Sequence, residues 1–185
     1  NGMWVAIAAD NLAETLLFRG EGDAAAQYLY ATLNHGTPLY SWCEERGPEP
    51  GTTQTTGDRQ HLWTPVAVAR LIRDLLIFED GDTLHLAKGT DRSWLTRGPV
   101  GGTGLQSHFG AVNYRFALDA SGKHVLGEIA LTPGREPRAL HVHVRLPAGR
   151  KLVSVDAPGA KLLPDGETIA WTTPPAQLAF TAAVE

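Results

Sequence analysis

The apolar pattern of this chain changes period once, near Glu79-Asp80-Gly81-Asp82, and that change restricts the fold to helices followed by sheet. Before it, Trp4, Ile7, Ala8, Leu12, Leu16 and Leu17 recur at helical spacing and predict a helix from Met3 to Arg19, stopped by Gly20. Gly22-Asp23 then caps an alanine-rich helix from Ala24 to Asn34, with Leu29, Tyr30 and Leu33 on one face and His35-Gly36 as its end. The short Gly20-Glu21-Gly22 connection makes the two an antiparallel hairpin. A third helix is predicted from Val66 to Phe78 through Val68, Leu71, Ile72, Leu75 and Leu76, with Pro65 suited to its first turn.

After the change the pattern alternates. Thr83-Leu84-His85-Leu86 begins it, and strands are expected over Ala111 to Leu118, His124 to Leu131, Leu140 to Leu146, Leu152 to Asp156, Thr168 to Trp171 and Gln177 to Thr181. Turn signals at Asp119-Ala120-Ser121-Gly122 and Pro164-Asp165-Gly166 separate them at the spacing of an antiparallel β-sandwich. The fold class is therefore α+β: a helical segment over residues 1–80, a linker with a first strand over 81–110, and a sandwich over 111–185. Gly98 to Gly104 reads as linker, because it precedes a strand and so lacks the helix that a phosphate-binding glycine loop needs. Trp94 and Trp171 are expected to anchor the sandwich or an interface.

Composition narrows the partners. The net charge is −4 and the 16 basic residues are scattered, so no positive face is built and nucleic acid is excluded as an expected partner. Charged residues interrupt every apolar stretch, so no membrane span is predicted. Cys43 is the only cysteine, which excludes an intrachain disulfide. Asn1-Gly2-Met3 leads at once into amphipathic sequence, which reads as a start within a longer protein. Three helices with broad apolar faces cannot close a core alone, so partner helices are expected, from a homo-oligomer or from sequence upstream of Asn1.

Residues 36 to 62 carry too many Gly and Pro for a helix and predict a long ordered loop, the kind that usually serves function. It concentrates Tyr40-Ser41-Trp42-Cys43-Glu44-Glu45-Arg46, then Glu49, then Asp58-Arg59-Gln60-His61-Leu62-Trp63. Sugar hydrolysis uses these types: one carboxyl protonates the leaving oxygen, another activates water or attacks the anomeric carbon, and flat aromatic faces stack on the ring. Glu44, Glu45 and Asp58 are the candidate catalytic carboxylates, and Tyr40, Trp42, Arg59, His61 and Trp63 the candidate substrate contacts. Against this stand a solvated Glu-Glu-Arg turn and a structural role for Asp58 and His61 at the start of the third helix.

In order along the chain, the helix hairpin, Trp42-Cys43-Glu44-Glu45, Gly57-Asp58-Arg59-Gln60-His61-Leu62-Trp63 before a helix, Leu84-His85-Leu86-Ala87-Lys88-Gly89 and a β-domain resemble the end of a six-hairpin glycosidase. The resemblance, to the α-L-rhamnosidase-like superfamily, covers the whole chain but only the last third or so of such an enzyme. It implies helices of an (α/α) barrel type followed by a C-terminal β-sandwich, and a catalytic carboxylate at Glu44 or Glu45 with His61 and Trp63 as sugar contacts. The chain departs from the family's adjacent Trp-Glu pair, which leaves the choice between the two glutamates open. The family's partner acid lies on an earlier hairpin. The implied substrate is a plant, algal or microbial polysaccharide or oligosaccharide, and a secreted or periplasmic bacterial setting is favoured over a cytoplasmic one.

Two rival functions stand beside hydrolysis. A polysaccharide lyase would use Tyr40, His61 and Arg59 for proton abstraction next to a uronate, and a carbohydrate-binding or structural fragment would need none of the carboxylates. His141 and His143 alternate on a predicted strand and share a face, a spacing able to ligate metal, but the sequence offers no obvious third ligand, so no metal and no cofactor are expected.

Overall fold

The computed structural model describes residues 3–37, 39–47 and 54–185, divided into two units, Asn1–Leu75 and Leu76–Glu185. The expected boundary near residue 80 moves a few residues toward the N-terminus.

The first unit opens with a two-residue strand, β1 (Met3–Trp4), where a helix was expected, and then runs helically through α1 (Val5–Ile7), a π-helical turn (Ala8–Leu12) and α2 (Ala13–Phe18). Gly20, at φ +79, breaks the run, since a left-handed residue is cheap only without a Cβ. α3 (Gly22–Asn34) then packs against α2, with Ala13, Leu17, Ala25, Ala26 and Leu29 buried. The alanines let the backbones approach while Leu17 and Leu29 fill the space between.

The long loop carries two short strands, β2 (Glu45–Arg46) and β3 (Thr55–Thr56), which join β1 in an antiparallel sheet. Glu49 lies outside the described residues. The third helix, α4, spans Trp63–Leu76, starting three residues earlier and ending two residues earlier than the periodicity suggests. A charge network joins it to the first helical run. Arg70 reaches Asp10 at 3.1 Å, Glu14 at 2.6 Å and Asp74 at 3.5 Å, and Arg73 contacts Asp74 at 2.8 Å. Asp74 is buried, a position an ionised carboxylate holds only when partnered. Among the described residues no helix is long and apolar enough to cross a membrane.

The second unit is built from ten strands in two five-stranded sheets. The strands are β4 (Ile77–Asp80), β5 (Thr83–Leu86), β6 (Val100–Ser107), β7 (Gly110–Leu118), β8 (His124–Ala130), β9 (Ala139–His143), β10 (Leu152–Asp156), β11 (Ala160–Leu162), β12 (Thr168–Thr172) and β13 (Gln177–Val184). One sheet has the order β11-β12-β9-β5-β4 and the other β10-β13-β8-β7-β6. Their inward-facing residues form one core, Leu84, Leu86, Leu140, Val142, Ile169 and Trp171 from the first sheet and Val112, Phe116, Val125, Ile129 and Phe180 from the second. Trp171 and Phe180 meet across it at 6.1 Å between ring centroids, so Trp171 is a core anchor and Trp94 packs at the core's margin.

Three expectations are revised. Ile77-Phe78 continue the helical period but form β4, which pairs with β5 across a two-residue turn at Gly81-Asp82, Gly81 having φ +56. The Gly98 to Gly104 stretch is no linker: β6 runs through it, and at Gly101 a side chain would overlap the Tyr114 backbone carbonyl. The intervening segment also holds a short helix, α5 (Trp94–Arg97), so 81–110 belongs to the sheet unit throughout. Finally, the sheets are not wholly antiparallel, because β5 and β9 pair in parallel with His85 opposite His141.

Candidate functional site

The loop chemistry is organised by Trp42. Its side chain is 3% exposed, and its indole N–H donates to the Thr32 carbonyl of α3 at 2.8 Å. The backbone N–H of His61 in turn donates to the Trp42 carbonyl at 2.8 Å, and the Glu44 N–H donates to the Asp58 carbonyl at 2.8 Å. These bonds lay residues 42–44 alongside 58–61 and bring the two halves of the loop together. Cys43 beside it is a buried free thiol.

This pairing separates the two glutamates. The Glu45 carboxylate accepts a 2.6 Å bond from the Thr56 hydroxyl across β2 and β3 and is thereby tied into the small sheet. The Glu44 carboxylate lies against Gly57, where φ is +67 and a Cβ would overlap it, and accepts a long 3.4 Å contact from the Asp58 N–H. The Asp58 carboxylate, largely exposed, stands 3.7 Å from His61 Nδ1. His61 is 6.3 Å from Trp63 by ring centroids, and Trp63, 37% exposed, directs its indole N–H to Asp10 at 3.5 Å. Glu44, Asp58, His61 and Trp63 therefore follow one another in a contiguous chain of contacts.

Tyr40, Arg59 and Trp42 contribute no side-chain contact to that chain among the described residues. Tyr40 is 73% exposed at φ +53, in a turn closed by the Thr37 carbonyl, and Arg59 is exposed. Trp42 has no face open to solvent and holds the loop backbone through its bonds to Thr32 and His61.

The sheet unit carries a second polar cluster. His85 on β5 faces His141 across the parallel pair, and His143 follows two residues later on β9, so alternation sends all three to the side of the sheet opposite Leu84, Leu140 and Val142. Their ring nitrogens lie within 4.8 Å of one another. His85 Nδ1 is 3.0 Å from His143 Nε2, and His143 Nδ1 is 3.2 Å from the Thr168 hydroxyl, which donates to Asp165 at 2.6 Å. Ala87, in the left-handed region at φ +58, turns the chain after β5, and Lys88 lies with its ammonium 4.7 Å from the Phe78 ring centroid.

Burial disfavours charge on all three rings. It pushes His85 down to about 3, with the Lys88 and His141 charges acting in the same direction. His141 is lowered by burial and by Lys88, and His143 well below the ordinary range by burial first and then by His85 and Lys88. Lys88 is itself lowered by burial. Three neutral imidazoles in one place is the state a metal ion requires of its ligands. Sequence reasoning found His141 and His143 by their alternation but missed His85, whose approach depends on a parallel pairing of strands more than fifty residues apart.

The outer face of the second sheet holds a broad concavity of about 540 Å³ lined by Thr103, Asn113, Arg115, Glu128 and Gln177. Tyr114 is its one aromatic lining residue, but it is buried with its hydroxyl donated to the Leu76 carbonyl at 2.8 Å, which leaves no stacking platform for a sugar. No protein-family model, curated protein or solved structure matches this chain.

Proposed function

We propose that the chain is a glycoside hydrolase or the carboxyl-terminal portion of one, with the helical unit contributing part of an (α/α) barrel cleft and the two-sheet unit a β-sandwich beside it in sequence. The observation that carries the reading is the chain of contacts from Glu44 through Asp58 and His61 to Trp63, because it joins a carboxylate, a second ionisable pair and a partly exposed indole where the loop enters α4.

Glycosidic cleavage needs a carboxyl group close to the scissile oxygen and an apolar ring face for the sugar. In this proposal Glu44 is the acid or base, because among the described residues its carboxylate makes only a long contact with a backbone N–H, whereas Glu45 is engaged by Thr56. Asp58 orients His61 toward substrate hydroxyls, and Trp63 supplies the stacking face. The exposed apolar residues Leu12, Phe18, Leu62, Val66 and Ile72 are where further helices of the barrel, from the same protein or a second copy, would seat. The second carboxylate of the pair would come from such a helix.

The substrate class is a polysaccharide or oligosaccharide. Release of reducing ends from plant, algal and microbial polysaccharides, measured for the protein with its complete barrel as wild type, Glu44→Gln and Glu45→Gln, tests the proposal. Loss of release in Glu44→Gln alone supports it. An unsaturated, ultraviolet-absorbing product would indicate a lyase instead, and oligosaccharide binding indifferent to both substitutions would indicate a binding module.

A further inference from the structure

Independently of the carbohydrate reading, we propose that His85, His141 and His143 form a binding site for a first-row transition-metal ion, with zinc the expected occupant. Three imidazole nitrogens within 4.8 Å of one another fit the edge of a tetrahedron around zinc, about 3.3 Å for Zn–N bonds near 2.05 Å, with only side-chain adjustment. The ligands stand on two adjacent paired strands, β5 and β9, which hold their backbones in register. No fourth His, Cys, Asp or Glu joins the group among the described residues, so the remaining position would fall to water or a small anion.

The hydrogen-bond chain behind His143 prepares it as a ligand. Asp165 accepts from the backbone N–H groups of Glu167 and Thr168, each at 2.9 Å, and from the Thr168 hydroxyl at 2.6 Å. The single hydroxyl proton of Thr168 is thus committed to Asp165, so its oxygen accepts from the His143 Nδ1–H. That leaves the lone pair of His143 on Nε2, pointing at His85 Nδ1. Without metal, His85 donates its Nδ1–H across this 3.0 Å gap; with metal, the His85 proton moves to Nε2 and both facing lone pairs bind the ion. A carboxylate acting through a hydroxyl on the far nitrogen is the outer support that metal-bound histidines ordinarily have. Lys88 opposes a cation here, and its replacement by a neutral chain of similar length is expected to tighten binding.

The test uses the whole 185-residue chain without a polyhistidine tag, freed of metal by chelation and titrated with cobalt(II) as a visible probe, then with zinc chloride in competition. The expected result is one cobalt per chain with a tetrahedral absorption band that one equivalent of zinc abolishes. His141 is partly exposed, so His141→Ala should keep the far-ultraviolet circular dichroism of the wild type while weakening binding about 100-fold, and Asp165→Asn should weaken it about tenfold. Lys88→Met should strengthen it severalfold. Absence of saturable one-to-one binding, or a titration that folded His141→Ala leaves unchanged, overturns the proposal; the latter would assign the ion to one of the other histidines.

Discussion

If Trp42 is the internal anchor of the loop, removing it should cost stability before it affects any sugar. Its buried indole covers about 200 Å², worth at most about 5 kcal/mol at ~25 cal/mol per Å², and large-to-small aromatic replacements in cores cost about 3–5 kcal/mol. Trp42→Ala should therefore destabilise the helical unit by about 3–5 kcal/mol. Trp42→Phe keeps most of the ring but loses the indole N–H. The Thr32 carbonyl retains the His35 N–H at 3.1 Å, so the lost bond costs about 1 kcal/mol and the smaller ring about as much again. Urea unfolding followed by helical ellipticity reads this directly, because all helical residues but those of the four-residue α5 lie at 5–18, 22–34 and 63–76. Gly36→Ala probes the same contact from the other side, since its Cβ would stand 2.9–3.0 Å from the indole. The anchor role is refuted if Trp42→Ala leaves the unfolding midpoint unchanged while abolishing oligosaccharide binding, for then the ring is a sugar platform.

Other consequences follow from single sites. Gly57→Ala should cost about 1–2 kcal/mol through its left-handed backbone and displace the Glu44 carboxylate, lowering any turnover more than Gly20→Ala, where the added methyl meets nothing. Arg92 clasps Glu167 through Nη1 and Nη2, at 2.5 and 3.1 Å, and its Nη1 also donates to the Leu146 carbonyl at 2.7 Å, so Arg92→Ala should destabilise the sheet unit by about 1–3 kcal/mol in thermal melts. Asp165 has a definite pH signature. Burial alone would raise its pKa, but the Thr168 hydroxyl and the N–H groups of Glu167 and Thr168 hold it below the ordinary carboxylate range. Its stabilisation is thus present above the unfolded value near 4 and lost as pH falls through the folded one. The gap in urea midpoint between wild type and Asp165→Asn should narrow as pH falls from about 5 through the folded value; a gap that stays constant contradicts the assignment.

The sequence carried the layout but not the long-range pairings. The change of period near residue 80 separates helices from sheet because each half keeps one repeat over many residues. It misplaced Ile77-Phe78, which satisfy the period of α4 and a buried strand equally, and pairing with β5 decided the matter. β6 was hidden by its glycines, which lower strand propensity yet are needed where the chain passes close to the Tyr114 carbonyl. In the loop, the residue types were legible but their roles were not. A tryptophan beside two glutamates is as consistent with a sugar platform as with an anchor, and only burial against Thr32 separates them. Likewise His141 and His143 declare a shared face through alternation alone, whereas His85 reaches them through a parallel register that no local pattern encodes.

The most direct test of the carbohydrate reading is reducing-end release by the protein with its complete barrel, wild type beside Glu44→Gln and Glu45→Gln, with circular dichroism confirming that all three are folded. The account predicts that Glu44→Gln loses release while Glu45→Gln retains most of it. Retention of activity in Glu44→Gln would contradict it.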